Sequence, residues 1–375
     1  MRVALLTYST KPRGGVVHTL ALAEALAALG VDVTVWTLGR DGDGGFFRAV
    51  SVPVRVVPFP AVEGESVGAR ILRSIAVLRD AFEPSDYDVV HAQDCISANA
   101  VRGVPYVRTV HHLDHFTTPE LAACHERAIV EPAAHVCVSA AVAAEVRSGW
   151  GLTPTVIPNG VDAARFRAAA GDTRWRARLG RYVLAVGGIE PRKGSLELLE
   201  AYALLGRPDV NLVIAGGETL FDYRAYRARW ESRAVELGLS PVVLGPVDHD
   251  ALPSLVAAAD VFAFPSVKEG FGLAALEALA AGVPVVTSDL PVLREVFGDT
   301  VTFAADVPGL ATAIGAALDD GPVRARAGRA LAERFTWEAA ARAHLGFYRS
   351  LVGAGSPDVH RTDQPSCAGT PTIDV

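Results

Sequence analysis

Val261-Phe262-Ala263-Phe264-Pro265-Ser266-Val267-Lys268-Glu269-Gly270-Phe271-Gly272-Leu273-Ala274-Ala275-Leu276-Glu277-Ala278-Leu279-Ala280-Ala281-Gly282-Val283-Pro284 is the stretch on which the fold turns. Val261–Phe264 is an unbroken apolar run and reads as a buried strand. A glycine-containing loop follows, then a helix over 272–281, then a second strand over Val283–Thr287. Strand, helix and strand in that order make a βαβ unit and imply a parallel sheet.

Working outward, the unit repeats. Strand Tyr182–Val186 meets a Gly-Gly turn and a helix over 194–205. Strand Asn211–Ala215 meets Gly216-Gly217 and a long helix over 222–237. Strand Val242–Leu244 and a helix over 250–258 complete the approach to Val261. Beyond Thr287, Pro291–Phe297 reads as a helical turn, Val301–Phe303 as a short strand, and the rest to Leu351 as mostly helical. The first half carries its own series. Strand Arg2–Tyr8 precedes Gly14-Gly15 and a helix over Val16–Leu29, with Gly30 closing it. Strands Val31–Thr37 and Val52–Val57 follow, Pro53 marking the latter as an edge. A helix over 66–82, strands Asp88–His91 and Pro105–His111, a helix over 119–130, strand His135–Ser139, a helix over 140–149 and strand Thr155–Pro158 finish the half.

Pro158-Asn159-Gly160-Val161-Asp162 is a turn signal, and a polar, Arg-rich stretch runs from it to about Gly180. The pattern predicts an α/β protein of two doubly wound, Rossmann-like domains facing a central cleft. The first covers 1–168 and the second 169–335. The last helix, about 336–352, packs back on the first, and 353–375, rich in Gly, Ser, Pro, Thr and Asp, reads as a disordered tail. Ligands of such sheets sit beyond the C-terminal strand ends, which here means the cleft.

Length and composition agree. At roughly 150 residues per domain, 375 residues make two domains. Half the residues are hydrophobic and 21% are charged, enough apolar material for two cores. Lys and Arg total 35 against 42 Asp and Glu, a net charge of −7, so no broad cationic field exists for nucleic acid. A phosphate must be held by a few local cations. Only Lys11, Lys193 and Lys268 are lysines. Cys95, Cys124, Cys137 and Cys367 show no C-x-x-C spacing, which suggests a reducing compartment. Val3–Leu6 is too short for a signal-peptide core and no run of about 20 apolar residues occurs. The expected location is the cytoplasm, with peripheral membrane contact left open through the 66–82 helix and its Arg70, Arg73 and Arg79.

The chemistry is concentrated at the strand ends. Gly270 and Gly272 let backbone amides approach a ligand, and the helix that starts there directs its positive end to the same place, which suits a phosphate. Glu277 can accept from a vicinal diol such as a ribose, and Glu269 from sugar hydroxyls. Val186-Gly187-Gly188-Ile189-Glu190-Pro191-Arg192-Lys193-Gly194 sets two adjacent cations before a helix start, where cations are otherwise mildly unfavourable. Their expected task is to neutralise charge developing on a diphosphate leaving group.

These motifs resemble glycosyltransferase family 4, retaining enzymes of GT-B fold that use nucleotide-sugar donors. The resemblance covers roughly residues 1–350. It implies that Glu269 binds the donor sugar, that Glu277 binds the nucleotide ribose, and that the backbone of Gly270, Phe271, Gly272 and Leu273 covers sugar and diphosphate. Gly14-Gly15 resembles the family's N-terminal glycine loop; Lys11 and Arg13 beside it either meet an anionic acceptor or stand idle as exposed loop cations. It is neither a G-x-G-x-x-G nor a P-loop motif. His111, ending its strand, takes the position of the family's His beside the reacting sugar. His112 is its neighbour, and His91 is either a supporting residue or a satisfied core histidine. Asn159–Asp162 takes the interdomain turn, and Gly216-Gly217 is either the place where the base packs or a tight βα turn. Gly188 departs from the family, which often has Arg there; Arg192 and Lys193 suffice, or Lys268 or Arg13 compensates. His111-His112-Leu113-Asp114-His115 looks like a metal cluster, but the resemblance implies no metal and no cofactor.

The implied reaction moves a hexose-type sugar from a nucleotide-diphosphate donor, UDP-linked by preference, to the hydroxyl of a small molecule, lipid or glycan. The family's retention needs no protein nucleophile, and no G-x-S-x-G and no Cys–His pairing at a recognisable spacing is present. A sugar-nucleotide epimerase or hydrolase of the same fold, or a non-catalytic sugar-nucleotide binder, are the alternatives.

Overall fold

Strand β1 (Arg2–Leu6) is buried on both sides from Val3 to Leu6, as a central strand of a covered parallel sheet must be. The computed structural model describes residues 1–40, 42–113, 118–217 and 223–353. Elements α1 (Gly14–Ala28), β2 (Asp32–Arg40), β3 (Val54–Phe59), α2 (Val67–Ala81), β4 (Val89–Ala92), α3 (Cys95–Ala100), β5 (Val107–Val110), α4 (Pro119–Val130), β6 (Ala134–Cys137), α5 (Ala140–Trp150) and β7 (Thr155–Val156) build the first lobe. Its strands lie in the order β3-β2-β1-β4-β5-β6-β7, and every paired neighbour is parallel. Val3 and Leu5 pack with Leu20 and Ala23 of α1 on one face; Ala4 and Leu6 pack with Leu78 of α2 and Ala98 of α3 on the other.

Two short helices follow, α6 (Ala163–Ala168) and α7 (Arg174–Leu179). The second lobe consists of β8 (Arg181–Val186), α8 (Ser195–Leu205), β9 (Val210–Ala215), α9 (Arg224–Glu236), β10 (Val242–Gly245), α10 (Leu252–Ala257), β11 (Val261–Phe264), α11 (Leu273–Ala281), β12 (Val285–Ser288), α12 (Pro291–Phe297), β13 (Thr302–Ala304), α13 (Val307–Asp320) and α14 (Ala325–Ala332). Its parallel sheet runs β10-β9-β8-β11-β12-β13. The last helix, α15 (Trp337–Gly353), leaves this lobe and packs on α1, with Ala340, Ala341 and Tyr348 inside the first core.

Both sheets reverse strand order at one place, between β1 and β4 and between β8 and β11. Such switch points open a crevice at the C-terminal strand ends. The chain passes between lobes twice at one spot. Val161 N donates to Phe335 O at 2.8 Å, and a Cβ on Gly160 would lie 2.3 Å from Trp337 N. The interdomain turn therefore needs glycine because the return segment lies directly against it.

The two-domain α/β reading holds, and local boundaries differ. The stretch read as a polar connection holds α6 and α7. Asp162 accepts from Arg165 N as the α6 cap, and Phe166 is 1% exposed. Each helix is six residues long and fully buries one side chain, too little for a readable period. Helix α3 was also unforeseen; a reciprocal cap between Asp94 and Ser97 starts it. The edge strand β3 begins at Val54 rather than Val52, and α15 extends to Gly353. The rest of the tail, 354–375, lies outside the described residues, as do Asp114 and His115.

Candidate functional site

The second lobe's switch point is built by two turns pressed together. Gly194, at φ 63°, lies so near the 265–266 turn that a Cβ would come 2.0 Å from Pro265 O. Val267 N donates to Arg192 O at 2.9 Å. This lashing brings Arg192, Lys193 and Ser266 onto one carboxylate oxygen. Glu269 Oε1 accepts from Arg192 Nη1 at 3.2 Å, from Ser266 Oγ at 2.9 Å, and from Lys193 Nζ. The Glu269 side chain is only 11% exposed. Burial pushes its pKa up, but Lys193 and Arg192 outweigh burial and hold it at about 2. Arg192 also reaches buried Glu190 at 3.2 Å. Gly187, Gly188, Lys193 and Ser266 line a small cavity of about 20 Å³, in the place where the resemblance leads one to expect an arginine.

Gly272 caps α11 at φ 98°, a left-handed conformation, and its Cβ position is blocked by the Phe297 ring at 2.9 Å. Phe271 is buried in the core that spans the lobes, and Leu273 is half-buried at the helix start. Glu277 lies in the second turn. Burial drives its pKa up to about 7, against the weaker pull of Arg165. Among the described residues nothing donates a hydrogen bond to it. Gly216 is pressed on Gly187, where a Cβ would be 2.2 Å from the carbonyl, so this pair serves a close backbone approach.

The first lobe meets this assembly at His111. A Cβ on Gly270 would lie 1.5 Å from His111 O and 3.5 Å from Val138. Across the ring, a Cβ on Gly15 would be 3.5 Å from His111 Cδ2, whereas Gly14 faces open space. Gly15, His111 and Gly270 thus converge, 255 positions apart in the chain (270 less 15). His111 Nε2 is buried, and among the described residues it has no hydrogen-bond partner. Burial, then His18 and Arg108, lower its pKa well below 6.5.

Sequence reasoning missed His18. Its ring stands edge-on to His111 at 4.8 Å, and its Nδ1 is 2.8 Å from Asn159 Oδ1. The available signal was a histidine at 18 on the apolar face of α1, between Val16 and Leu20. His91 resolves to the satisfied core reading, bonded to Tyr348 OH at 2.6 Å and Thr109 Oγ1 at 2.7 Å. Lys11 is paired with Asp43 at 2.9 Å, and Arg13 donates to Tyr8 OH, so Arg13 is not turned toward the gap at Gly188. Lys268 contributes its backbone carbonyl to Arg192 at 3.4 Å. Arg73 is engaged by Glu65 at 2.7 Å and Arg79 by Asn99 O at 3.0 Å. Among the described residues no group of three or more His, Cys, Asp or Glu could hold a metal, and no helix is long and apolar enough to cross a membrane.

Two facing Rossmann-like lobes with a cation-held carboxylate at their junction define a class, and comparison with known proteins identifies it. The family described as glycosyl transferases group 1 matches residues 176–334, and glycosyltransferase family 4 matches 12–165. D-inositol 3-phosphate glycosyltransferase of Mycobacterium tuberculosis is 34% identical, over 94% of this chain and 84% of that protein. Sucrose-phosphate synthase of Thermosynechococcus elongatus superposes with a TM-score of 0.77 at 25% identity, over 94% of this chain and all of the other (100%). Anabaena HepE, solved with UDP-glucose, superposes at 0.72 and 20% identity, over 94% and 100%. The chain belongs to glycosyltransferase family 4: it is a glycosyltransferase of GT-B fold.

Proposed function

We propose that the protein transfers a hexose from a nucleotide-diphosphate sugar, UDP-linked by preference, to an acceptor hydroxyl with retention at the anomeric carbon. The observation that carries this is the convergence of Arg192 and Lys193 on Glu269 beside the His111–Gly270 contact. Residues 169–335 hold the donor and 1–168 present the acceptor, with 336–352 returning to the first domain. Glu277 accepts from the ribose hydroxyls. Arg192 and Lys193 receive the diphosphate, and the amides of Gly270–Leu273 cover it. Glu269 turns to the sugar hydroxyls as the cations exchange part of its charge for the phosphates.

The titration states favour a same-face mechanism. Glu269, held ionised at about 2, is a weak base and no acid at neutral pH. His111, neutral with its pKa far below 6.5, is also a weak base. That leaves the departing β-phosphate as the acceptor of the hydroxyl proton. Arg192 and Lys193 stabilise the charge that builds there, and closure of the lobes keeps water from the donor. An epimerase or hydrolase would act without an acceptor. Product analysis with each of a panel of nucleotide sugars, with and without acceptors, tests the reading: a glycoside retaining the donor's anomeric configuration supports it, and an inverted product or acceptor-independent turnover alone contradicts it.

A further inference from the structure

Gly15 and His18 are three positions apart on α1 and so share one face of it. Both meet the His111 imidazole. A Cβ on Gly15 would lie 3.5 Å from His111 Cδ2 and 3.6 Å from its Nε2. The His18 ring stands edge-on to the His111 ring, 4.8 Å between centroids with the planes 78° apart. The start of α1 therefore holds the side chain of the residue whose carbonyl lies against Gly270.

His18 also touches the crossing between the lobes. Its Nδ1 is 2.8 Å from Asn159 Oδ1, next to the Gly160 that is pressed on the return segment. Its ring lies 5.5 Å from that of Trp337 and 6.1 Å from that of His344, both on α15. His18 is 1% exposed and Asn159 3%. An amide oxygen only accepts, so His18 Nδ1 carries the hydrogen of this bond. Burial and then His344 lower the pKa of His18 to about 3, so the ring is neutral at pH 7 and Nε2 bears the lone pair. Among the described residues that Nε2 has no hydrogen-bond partner, and a buried nitrogen left so costs stability. Packing alone would be served by an apolar side chain, as at Val16, Leu20 and Leu22 of the same helix. What the imidazole adds is the bond to Asn159, which fixes its own ring while that ring borders His111.

We propose that His18 is a positioning residue: tied to the interdomain turn through Asn159, it holds the His111 ring in its working orientation and links that orientation to how the lobes meet. The inference rests on the reading of His111 as the residue beside the reacting sugar. His18 acts only through His111. Its loss therefore costs orientation, which weighs on the transition state and not on donor binding.

The test compares wild type with two variants. His18→Phe keeps a ring beside His111 and loses the bond to Asn159; His18→Asn keeps a donor where Nδ1 stands and loses the ring. Turnover is read with UDP-glucose and the acceptor that yields a glycoside in the product panel. Folded His18→Phe should keep its Tm and lose about tenfold or more in kcat, with KM for UDP-glucose unchanged within about threefold. In a His111→Ala background the same change should cost nothing further, because residues that act as a unit are not additive. The order of the His111 ring, measured by NMR on the histidine-labelled full chain, should fall in both variants. Unchanged kcat in either folded variant, an undiminished further loss in His111→Ala, or failure of both variants to fold would each overturn the positioning role. If wild type transfers nothing from UDP-glucose, the reading of a UDP-linked donor fails and ring order alone decides. A His111 ring as rigid in both variants as in wild type then overturns the role, and one loosened in both upholds it.

Discussion

Glu269 and Glu277 are two carboxylates eight positions apart (277 less 269) in one loop-helix segment, and they titrate about five units apart, at about 2 and about 7. Both are withdrawn from water. The difference is company: two cations and a hydroxyl meet Glu269, whereas among the described residues Glu277 feels the charge of Arg165 with no hydrogen bond to it. Across the junction the first lobe repeats the second condition with histidines. His18, His111 and His344 are buried, and among the described residues each keeps one ring nitrogen without a partner. Burial lowers all three, to about 3 for His18 and about 4 for His344. Among these carboxyls and histidines, charge is therefore kept where it is paired and disfavoured where it is not. At the junction Arg192, Lys193 and Glu269 hold fixed charge, and among these groups Glu277 is the one that trades a proton near neutral pH.

The strongest way to break this contrast is to remove the paired cations. Arg192→Ala/Lys193→Ala should lower kcat by about 10³-fold or more, the scale of losing preorganised transition-state charge. It should also destabilise the fold by about 3–5 kcal/mol, because Glu269 is left buried and unpaired. Adding Glu269→Gln should restore Tm without restoring turnover, measured by denaturation and donor consumption on the same samples. Next comes Gly270→Ala. Its Cβ would meet the His111 carbonyl, and the lobes can part to relieve it. We expect about 10²-fold loss of kcat/KM, the cost of a misplacement near 1 Å, with Tm nearly unchanged.

The histidine side gives a pH signature. An unfolded histidine takes its proton near 6.5, whereas folded His344 waits until about 4. Between those values the unfolded state binds more protons, so stability is full above pH 6.5 and falls as pH drops. His344→Gln should reduce that slope by about 1.4 kcal/mol per pH unit in denaturant titrations. The smallest effect belongs to Glu277. If its ionised form receives the ribose, affinity for a nucleotide sugar should fall about tenfold from pH 8 to 6 through a pKa near 7, and Glu277→Gln should flatten the dependence.

Alternation of apolar strands with helices made the two sheets legible, because the strands are short and continuous and β8, β9, β10 and β11 are closed by glycine or proline. Arg192 with Lys193, and Glu269 with Glu277, stand out in the sequence as two separate local motifs after strand ends; that the first pair meets Glu269 is visible only in the fold. The contact of His111 O with Gly270 and the His18–Asn159 bond were not legible. Each depends on which strands become neighbours and on how deeply a side chain is then covered. The six-residue helices α6 and α7 also escaped, since a single buried residue each leaves no period to read.

The central claim is that Arg192 and Lys193 exist to hold a diphosphate and are only lent to Glu269. Titrating UDP by calorimetry into wild type, Glu269→Gln and the triple variant Arg192→Gln/Lys193→Gln/Glu269→Gln tests it directly. Glu269→Gln should bind UDP at least as tightly as wild type, since its cations are released. The triple variant should bind about 100-fold more weakly, the loss of two charge-assisted contacts. Equal affinity of all three proteins would contradict it.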